Sequence, residues 1–465
     1  MPCILGQVTI DVLPDDALLN IFDRYKDDVS YRTSFTWRWI TMTHVCQRWR
    51  DIIFGSPRHL DLRVVCTNTT PTRTLLGIWP LFPISVYCGQ TLSVVDEKCP
   101  SNIIAAFEHS DRISEVFIMD IDCSELENLA AVMQRPFPIL SYFHLRSFDE
   151  SIPVIPETFL GGSTPRLRTF FLSGIPFLSF PKFVFSATRI EDLTLLDIPN
   201  SGYISLEVMA TCSAALPNLK RLYVGFRSPL SRPTQMSPPP LTRSVLPALT
   251  YLYFHGVSEY LEDFLTRIET PLLGELRVVP FMDLIFHIPQ LHDFICRTEG
   301  LMVPWNQAYM KFTRPMVQII LGSPTRFGVE VRCERPDWQL SSMTQIFSQQ
   351  LPLLSHIEHL EIREGVCLEY TMWKDDSDMD SSLWLELLHL FISVHSLYVS
   401  NLLGPPIATA LEEVGKGRTM EVLPALRNLF LEGLQPAGPV KKAMQLFVTL
   451  RRLSGHPIVI QNWER

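Results

Sequence analysis

The sequence predicts an α/β chain, with a small helical N-terminal segment followed by a long, irregular β/α solenoid. Three observations carry that expectation. A short apolar motif recurs every 23 to 30 residues through the first half of the chain. The stretches between its copies carry apolar residues at helical spacing. Two amphipathic helical segments precede the first copy.

The motif reads x-x-φ-x-x-φ-x-φ, where φ is apolar. "PILSYFHL" at 138, "PRLRTFFL" at 165, "PNLKRLYV" at 217, "PALTYLYF" at 247, "PLLGELRV" at 271, "PQLHDFIC" at 289 and "PALRNLFL" at 424 fit it. "DRISEVFI" at 111, "TRIEDLTL" at 188, "SHIEHLEI" at 355 and "ISVHSLYV" at 392 fit without the proline. The last two φ positions are two apart, so on a strand they point the same way, inward. A proline ahead of them suits a strand start, where no ladder donor is needed. The intervening "SLEVMATCSAAL" (205–216) and "VSEYLEDFLTRIE" (257–269) supply a helical layer. No single unit buries its apolar face alone, so the units must stack. The period and the L-x-x-L-x-L core resemble leucine-rich repeats. Past 291 the spacing stretches, which predicts a break or insertion near 300–350. "SPLSRPTQMSPPPLTRS" (228–244) and the acidic "WKDDSDMDSS" (373–382) read as exposed loops.

The helical segments come first. In "VLPDDALLNIFDRY" (12–25), Leu18, Ile21, Phe22 and Tyr25 form one face, and Asp15 and Asp16 suit a helix start. In "THVCQRWRDIIFGSP" (43–57), Val45, Cys46, Trp49, Ile52 and Ile53 form a stripe ended by Gly-Ser-Pro. That stripe packs either on the chain's own core or on another protein. "LPDDALLNIF" followed by "VCQRWRDIIFGSP" resembles an F-box, whose pattern is L-P-x-E-x-L-x-x-I-F and then V-C-x-x-W-R. Asp16 stands where the pattern has Glu, and the intervening "KDDVSYRTSFTWR" is longer than usual. The whole chain is similar to a fungal, basidiomycete-type group of F-box proteins with a degenerate leucine-rich-repeat domain. "GSPRHLDLRVVCTNTTP", "IWPLFPISVYC" and "LPALRNLFLEGLQPAGPV" carry that likeness. The expected organisation is an F-box at 8–58, a transition or cap at 59–110, and the repeat domain at 111–465, irregular after about 290.

The resemblance implies a substrate receptor of a cullin–RING ubiquitin ligase. A Skp-type adaptor, and cullin through it, would bind the F-box, and a protein substrate of unknown identity the repeats. By motif position, Leu13, Pro14, Leu18, Ile21, Phe22, Val45, Cys46 and Trp49 face the adaptor or organise the face that does. The alternative is a leucine-rich-repeat scaffold with no ubiquitin role.

The outward strand position lies between the last two φ residues. It is filled by Phe117, His144, Phe171, Thr194, Tyr223, Tyr253, Arg277, Glu361, Tyr398 and Phe430. Six of these ten are aromatic in a chain that is 11% aromatic, which singles out Phe117, Phe171, Tyr223, Tyr253, Tyr398 and Phe430 as a candidate substrate face. The other reading is that they simply stack across strands.

Composition closes off other classes. The 465 residues are 46% hydrophobic and 19% charged, enough for a sizeable core. A net charge of -9 with no long basic run argues against nucleic acid. The N-terminus lacks a signal-peptide pattern, and "LWLELLHLFISVHSLYVSNLL" (383–403) is broken by Glu386, His389 and His395, so it reads as helix then strand, not a membrane span. Ten scattered cysteines without C-x-x-C predict reduced thiols and a cytoplasmic or nuclear location. There Asn68-Thr69-Thr70 is no glycosylation site. No P-loop, G-x-G-x-x-G, G-x-S-x-G or H-E-x-x-H occurs, and "GKGRT" (415–419) is too short to cradle phosphate. "HIEH" (356–359), placed on a strand, would send its histidines to opposite faces. "DSDMDSSLWLEL" (376–387) imitates a calcium loop but has Ser381 and Leu387 where Gly and Glu are required. The expectation is a non-enzyme with no cofactor and no metal.

Overall fold

The structure is a computed structural model that describes residues 12–27, 42–56, 62–68, 71–89, 98–150, 152–229, 242–281, 288–302, 305–322, 326–348, 354–365, 381–414, 420–433 and 438–463. The chain divides into two compact units, Met1–Ile190 and Glu191–Arg465.

In the first unit, helices α1 (Asp15–Asp27) and α2 (Gln47–Gly55) lead into an alternation of strand and helix. It runs β1 (Arg63–Val65), α3 (Thr72–Ile78), β2 (Ile84–Cys88), α4 (Pro100–Phe107), β3 (Ile113–Ile118), α5 (Cys123–Val132), β4 (Tyr142–Arg146), β5 (Thr169–Ser173) and α6 (Phe180–Ser186). The five strands lie in chain order, each parallel to the next. The segment read as a transition therefore supplies β1 and β2 to the same sheet as the first recognised motif.

The second unit begins with β6 (Asp192–Ile198), α7 (Leu206–Ala214), β7 (Arg221–Phe226), β8 (Ser244–Val245), β9 (Tyr251–Gly256), α8 (Ser258–Arg267), β10 (Ile268–Glu269), β11 (Glu275–Pro280) and α9 (Pro289–Arg297). It continues with β12 (Gln307–Thr313), β13 (Met316–Leu321), β14 (Arg326–Arg332), α10 (Pro336–Ser348), β15 (His359–Glu364), α11 (Ser381–His389), β16 (Ser396–Val399), α12 (Gly404–Glu413), β17 (Asn428–Glu432), α13 (Pro439–Leu453) and β18 (Val459–Trp463). Its strand order is β6-β7-β9-β11-β14-β13-β12-β15-β16-β17-β18, and β8 and β10 form a separate parallel pair. The break expected near 300–350 is an antiparallel β12–β13–β14 meander set into an otherwise parallel sheet. Its outer strands rejoin the parallel run, β14 beside β11 and β12 beside β15.

Ten of the eleven motif copies are strands whose φ residues are buried, as with Leu140, Phe143 and Leu145 on β4. The exception is "PQLHDFIC", which is helix α9. Its buried residues are Leu291, Phe294 and Ile295, an i, i+3, i+4 set that closes one helical face. His356 also departs from expectation. It ends a 3-10 turn, Leu354–His356, ahead of β15, so the two histidines of "HIEH" do not share a strand. Residues 383–403 are helix then strand as read. Among the described residues, no helix is long and apolar enough to cross a membrane. Most of the Pro/Ser-rich stretch (230–241), most of the acidic one (373–380) and residues 415–419 lie outside the described residues.

Inward-facing strand residues meet the helices in two aromatic-rich cores. In the first unit, Phe170 stacks on Phe143 at 5.5 Å and meets Phe183 at 4.8 Å. In the second, Phe226 packs edge-on against Tyr260 at 4.7 Å, and the buried Tyr260 hydroxyl donates to the Ile204 carbonyl at 3.0 Å.

Helix ends between successive repeats must also be satisfied. Glu262 on α8 is buried, and its carboxylate accepts from the Gln290 and Leu291 amides at 2.7 and 2.9 Å, capping the first turn of α9. Burial pushes Glu262 up from 4.5 to about 7, against the pull of those two donors. Between these values the folded chain keeps a proton that the unfolded chain has released. This group's contribution to stability therefore falls as pH rises from about 4.5 to about 7. The urea midpoint of the wild type relative to Glu262→Gln should decline across that window, and a pH-independent difference would refute the assignment.

Candidate functional site: an outward sheet face and an N-terminal helix pair

The residues read as pointing outward do so, and they are in register. In the first unit, Tyr87, Phe117, His144 and Phe171 are successive Cα partners across β2, β3, β4 and β5. Their rings stack at 4.7, 4.5 and 3.8 Å. His144 sits inside this stack, where burial first and Arg146 second lower its pKa to about 4. An uncharged imidazole can lie flat between two phenyl rings without surrendering the hydration of a cation.

In the second unit, Thr194, Tyr223, Tyr253 and Arg277 pair in sequence across β6, β7, β9 and β11. Thr194 is largely covered, whereas Tyr223 and Tyr253 are half-buried with rings 5.8 Å apart. From β12, the far strand of the meander in sheet order, Tyr309, Glu361, Tyr398 and Phe430 continue the row over β12, β15, β16 and β17. Tyr398 lies flat on Phe430 at 4.4 Å and 5°, and Trp463 meets it edge-on at 5.4 Å.

Charge on this face is neutralised along single strands. Glu275 pairs with Arg277 at 2.9 Å, Glu330 with Arg332 at 2.9 Å, and Glu361 with Arg363. Each pair is spaced i, i+2, which places both side chains on one face of a strand. The Arg363 guanidinium lies over the Trp463 ring at 4.6 Å and over Tyr309 at 5.6 Å. The motif search missed Tyr87, Tyr309 and Trp463: β2 has Pro83 where the first apolar residue belongs and β18 has Asn462 beside Trp463, whereas β12 does fit the pattern through the buried Trp305, Ala308 and Met310. Their period-two alternation, as in "ISVYC" and "QAYMKFT", was the available signal.

The second surface is the α1–α2 pair. Leu18 and Phe22 are buried, with Phe22 against Trp49 at a ring distance of 4.7 Å. Cys46 is the N-cap of α2, its sulfur accepting from the Trp49 amide at 3.5 Å. Arg48 ties the helices together by donating to the Leu13 carbonyl at 2.6 Å and to the Asp15 carboxylate at 2.7 Å. Pro14, Ile21 and Val45 are exposed, the last two at 42% and 56%. Leu13, Cys46 and Trp49 are half-buried, and Ile52 and Ile53 are buried. The stripe of the second segment is thus divided. Val45 and Cys46 precede the helix, and only its C-terminal part turns inward. Among the described residues, no group of three or more His, Cys, Asp or Glu is placed to hold a metal.

A scan against protein-family models finds no match, and a search of curated proteins likewise finds none. Among solved structures, the chain is similar to the leucine-rich repeat-containing protein LegL7 from Legionella pneumophila, at 12% identity and a TM-score of 0.25, over 85% of this chain and 99% of that one.

Two measurements check the outward face. His144 should titrate near 4 in histidine-selective NMR, well below the ordinary 6.5. Its folded-state value is depressed, so the stability it contributes is present above 6.5 and is lost as pH falls toward about 4. Phe171→Ala should remove a stacking partner worth about 1 kcal/mol and raise the His144 value toward 6.5. An unchanged His144 titration in Phe171→Ala would show that the stack does not set its environment.

Proposed function

We propose that this chain is a substrate receptor that couples a Skp-type adaptor of a cullin–RING ubiquitin ligase to a protein substrate. The N-terminal helix pair is the adaptor side of this reading, and the outward sheet face is the substrate side. The observation that carries it is the paired motif "LPDDALLNIF" and "VCQRWRDIIFGSP", set on two helices that bury Leu18 and Phe22 while leaving Pro14, Ile21 and Val45 exposed. Buried members of the motif hold the pair together, and the exposed Pro14, Ile21 and Val45 are the members left for a partner to contact. Arg48 keeps the Leu13-Pro14 turn against α2, which fixes where Pro14 points.

The sheet face suits the second role because rigid, stacked aromatic rings offer contact area at little entropic cost. Three of its carboxylates, Glu275, Glu330 and Glu361, are paired with arginines on their own strands, so selectivity rests on shape and on local pockets. The alternative is a repeat-based interaction scaffold without a ligase partner.

Co-purification with a Skp-type adaptor tests the reading. Because Ile21 and Val45 are exposed, Ile21→Ala/Val45→Ala should fold normally yet bind the adaptor about thirty-fold more weakly, a loss of ~2 kcal/mol. A folded wild type that forms no complex overturns the ligase reading and leaves the scaffold.

A further inference from the structure

The outward row of the second unit is interrupted at the meander. Arg277 is followed across the sheet by Gly328 on β14, Ile320 on β13 and then Tyr309 on β12. Gly322, just past β13 at φ 83°, adds no side chain either. On the β12 side of this break lies a cleft of about 620 Å³, lined in part by Gly322. Its walls include Gln307, Tyr309, Ile320, His359, Glu361 and Tyr398.

Three of these fix its chemistry. Tyr309, Glu361 and Tyr398 are register partners on adjacent strands, so an acidic residue is flanked by a tyrosine on each side at about the strand spacing of 4.8 Å. The Tyr398 ring is held from behind by Phe430 and from the side by Trp463, a wall that needs no ordering when something binds. Among the described residues, Glu361 is the only Asp, Glu, Lys or Arg on the lining. Lys311 and Arg363, register partners of each other, belong to the next row of the face and are not part of the lining.

Arg363 shows what this environment accepts. Its guanidinium lies over Tyr309 and Trp463 and pairs with Glu361, so an arginine of the chain itself already uses one side of the carboxylate and one ring of the pair. The chain as a whole carries a charge of -9, which favours approach of a basic partner.

We propose that this cleft binds a cationic side chain, arginine or lysine, presented by an extended basic segment of a partner protein, with Glu361 as counter-ion and Tyr309 and Tyr398 as flanking rings. Rings flanking a carboxylate attract a cation through both ring quadrupole and charge. The proposal deepens the substrate-face half of the reading above and is independent of adaptor binding, which co-purification tests separately.

The experiment is a saturation-transfer NMR titration of the full chain with the blocked peptide acetyl-Gly-Ser-Arg-Ser-Gly-amide and with its lysine and citrulline counterparts. The arginine or lysine peptide should bind, with the neutral citrulline peptide at least about ten-fold weaker. Glu361→Gln and Tyr398→Leu should each weaken the cationic peptide by roughly ten-fold, and added salt should weaken it further. Arg363→Gln should strengthen binding several-fold, because it removes the internal competitor for Glu361. The wild-type comparison of arginine with citrulline needs no variant, so a poorly folding Glu361→Gln leaves the test intact. Equal binding of citrulline, no binding of any peptide, or a loss in Arg363→Gln matching that in Glu361→Gln would overturn the proposal.

Discussion

In-register parallel pairing is the constraint from which both faces of the sheet follow. On β4 and β5, Tyr142 faces Thr169, Phe143 faces Phe170, and His144 faces Phe171. The middle pair is buried in the aromatic core, and the last pair lies in the outward stack. Because side chains alternate, a slip of one residue would put His144 inside and Phe143 outside, losing the core and the stack together. Core burial therefore selects the register, and the register delivers an aligned outward row without separate specification. The same logic sets Tyr309, Glu361 and Tyr398 side by side on three strands.

Stacking repeats also leaves polar groups at every junction, and buried charged side chains answer many of them. Arg112 donates to the Pro80 and Phe82 carbonyls at 2.6 and 3.1 Å, and Arg451 to those of Pro424 and Leu426 at 2.7 and 3.4 Å. Arg297 reaches the carbonyls of Leu265 and Ile268, and Glu262 takes the amides at the start of α9. A charged group satisfying several backbone atoms meets the cost of burying them more fully than a neutral one. These residues tie each repeat to a neighbouring one by polar contacts that a search for apolar periodicity passes over.

Much of this architecture was readable because the motif encodes burial directly, with all three φ positions ending inside in ten copies of eleven. The eleventh shows where the code is ambiguous. Leu291 and Phe294 satisfy helix and strand patterns equally, and the deciding residue is Ile295, whose burial completes a helical face and leaves Cys296 exposed. Strand direction was also out of reach. "MVQIIL" and "RFGVEVR" alternate as cleanly as any parallel strand, and nothing local in them states that they run antiparallel. At the N-terminal pair the helical stripes were plain. That Ile21 is exposed beside a buried Phe22 depends on how α1 and α2 close on each other, which no single stripe determines.

The meander has a consequence for how the second unit is assembled. Up to β11, each new strand lies beside one made shortly before, so the sheet can lengthen as the chain emerges. After β11 the spatial neighbour is β14, and β12 and β13 must wait for it. β15 then docks on β12, a strand made three earlier, and not on the adjacent β14. Growth by local addition stops there until residues 307–332 close as a block, raising the sequence separation of the contacts that must form together. The point where the outward row is interrupted is thus also the point where spatial order in the sheet departs from chain order.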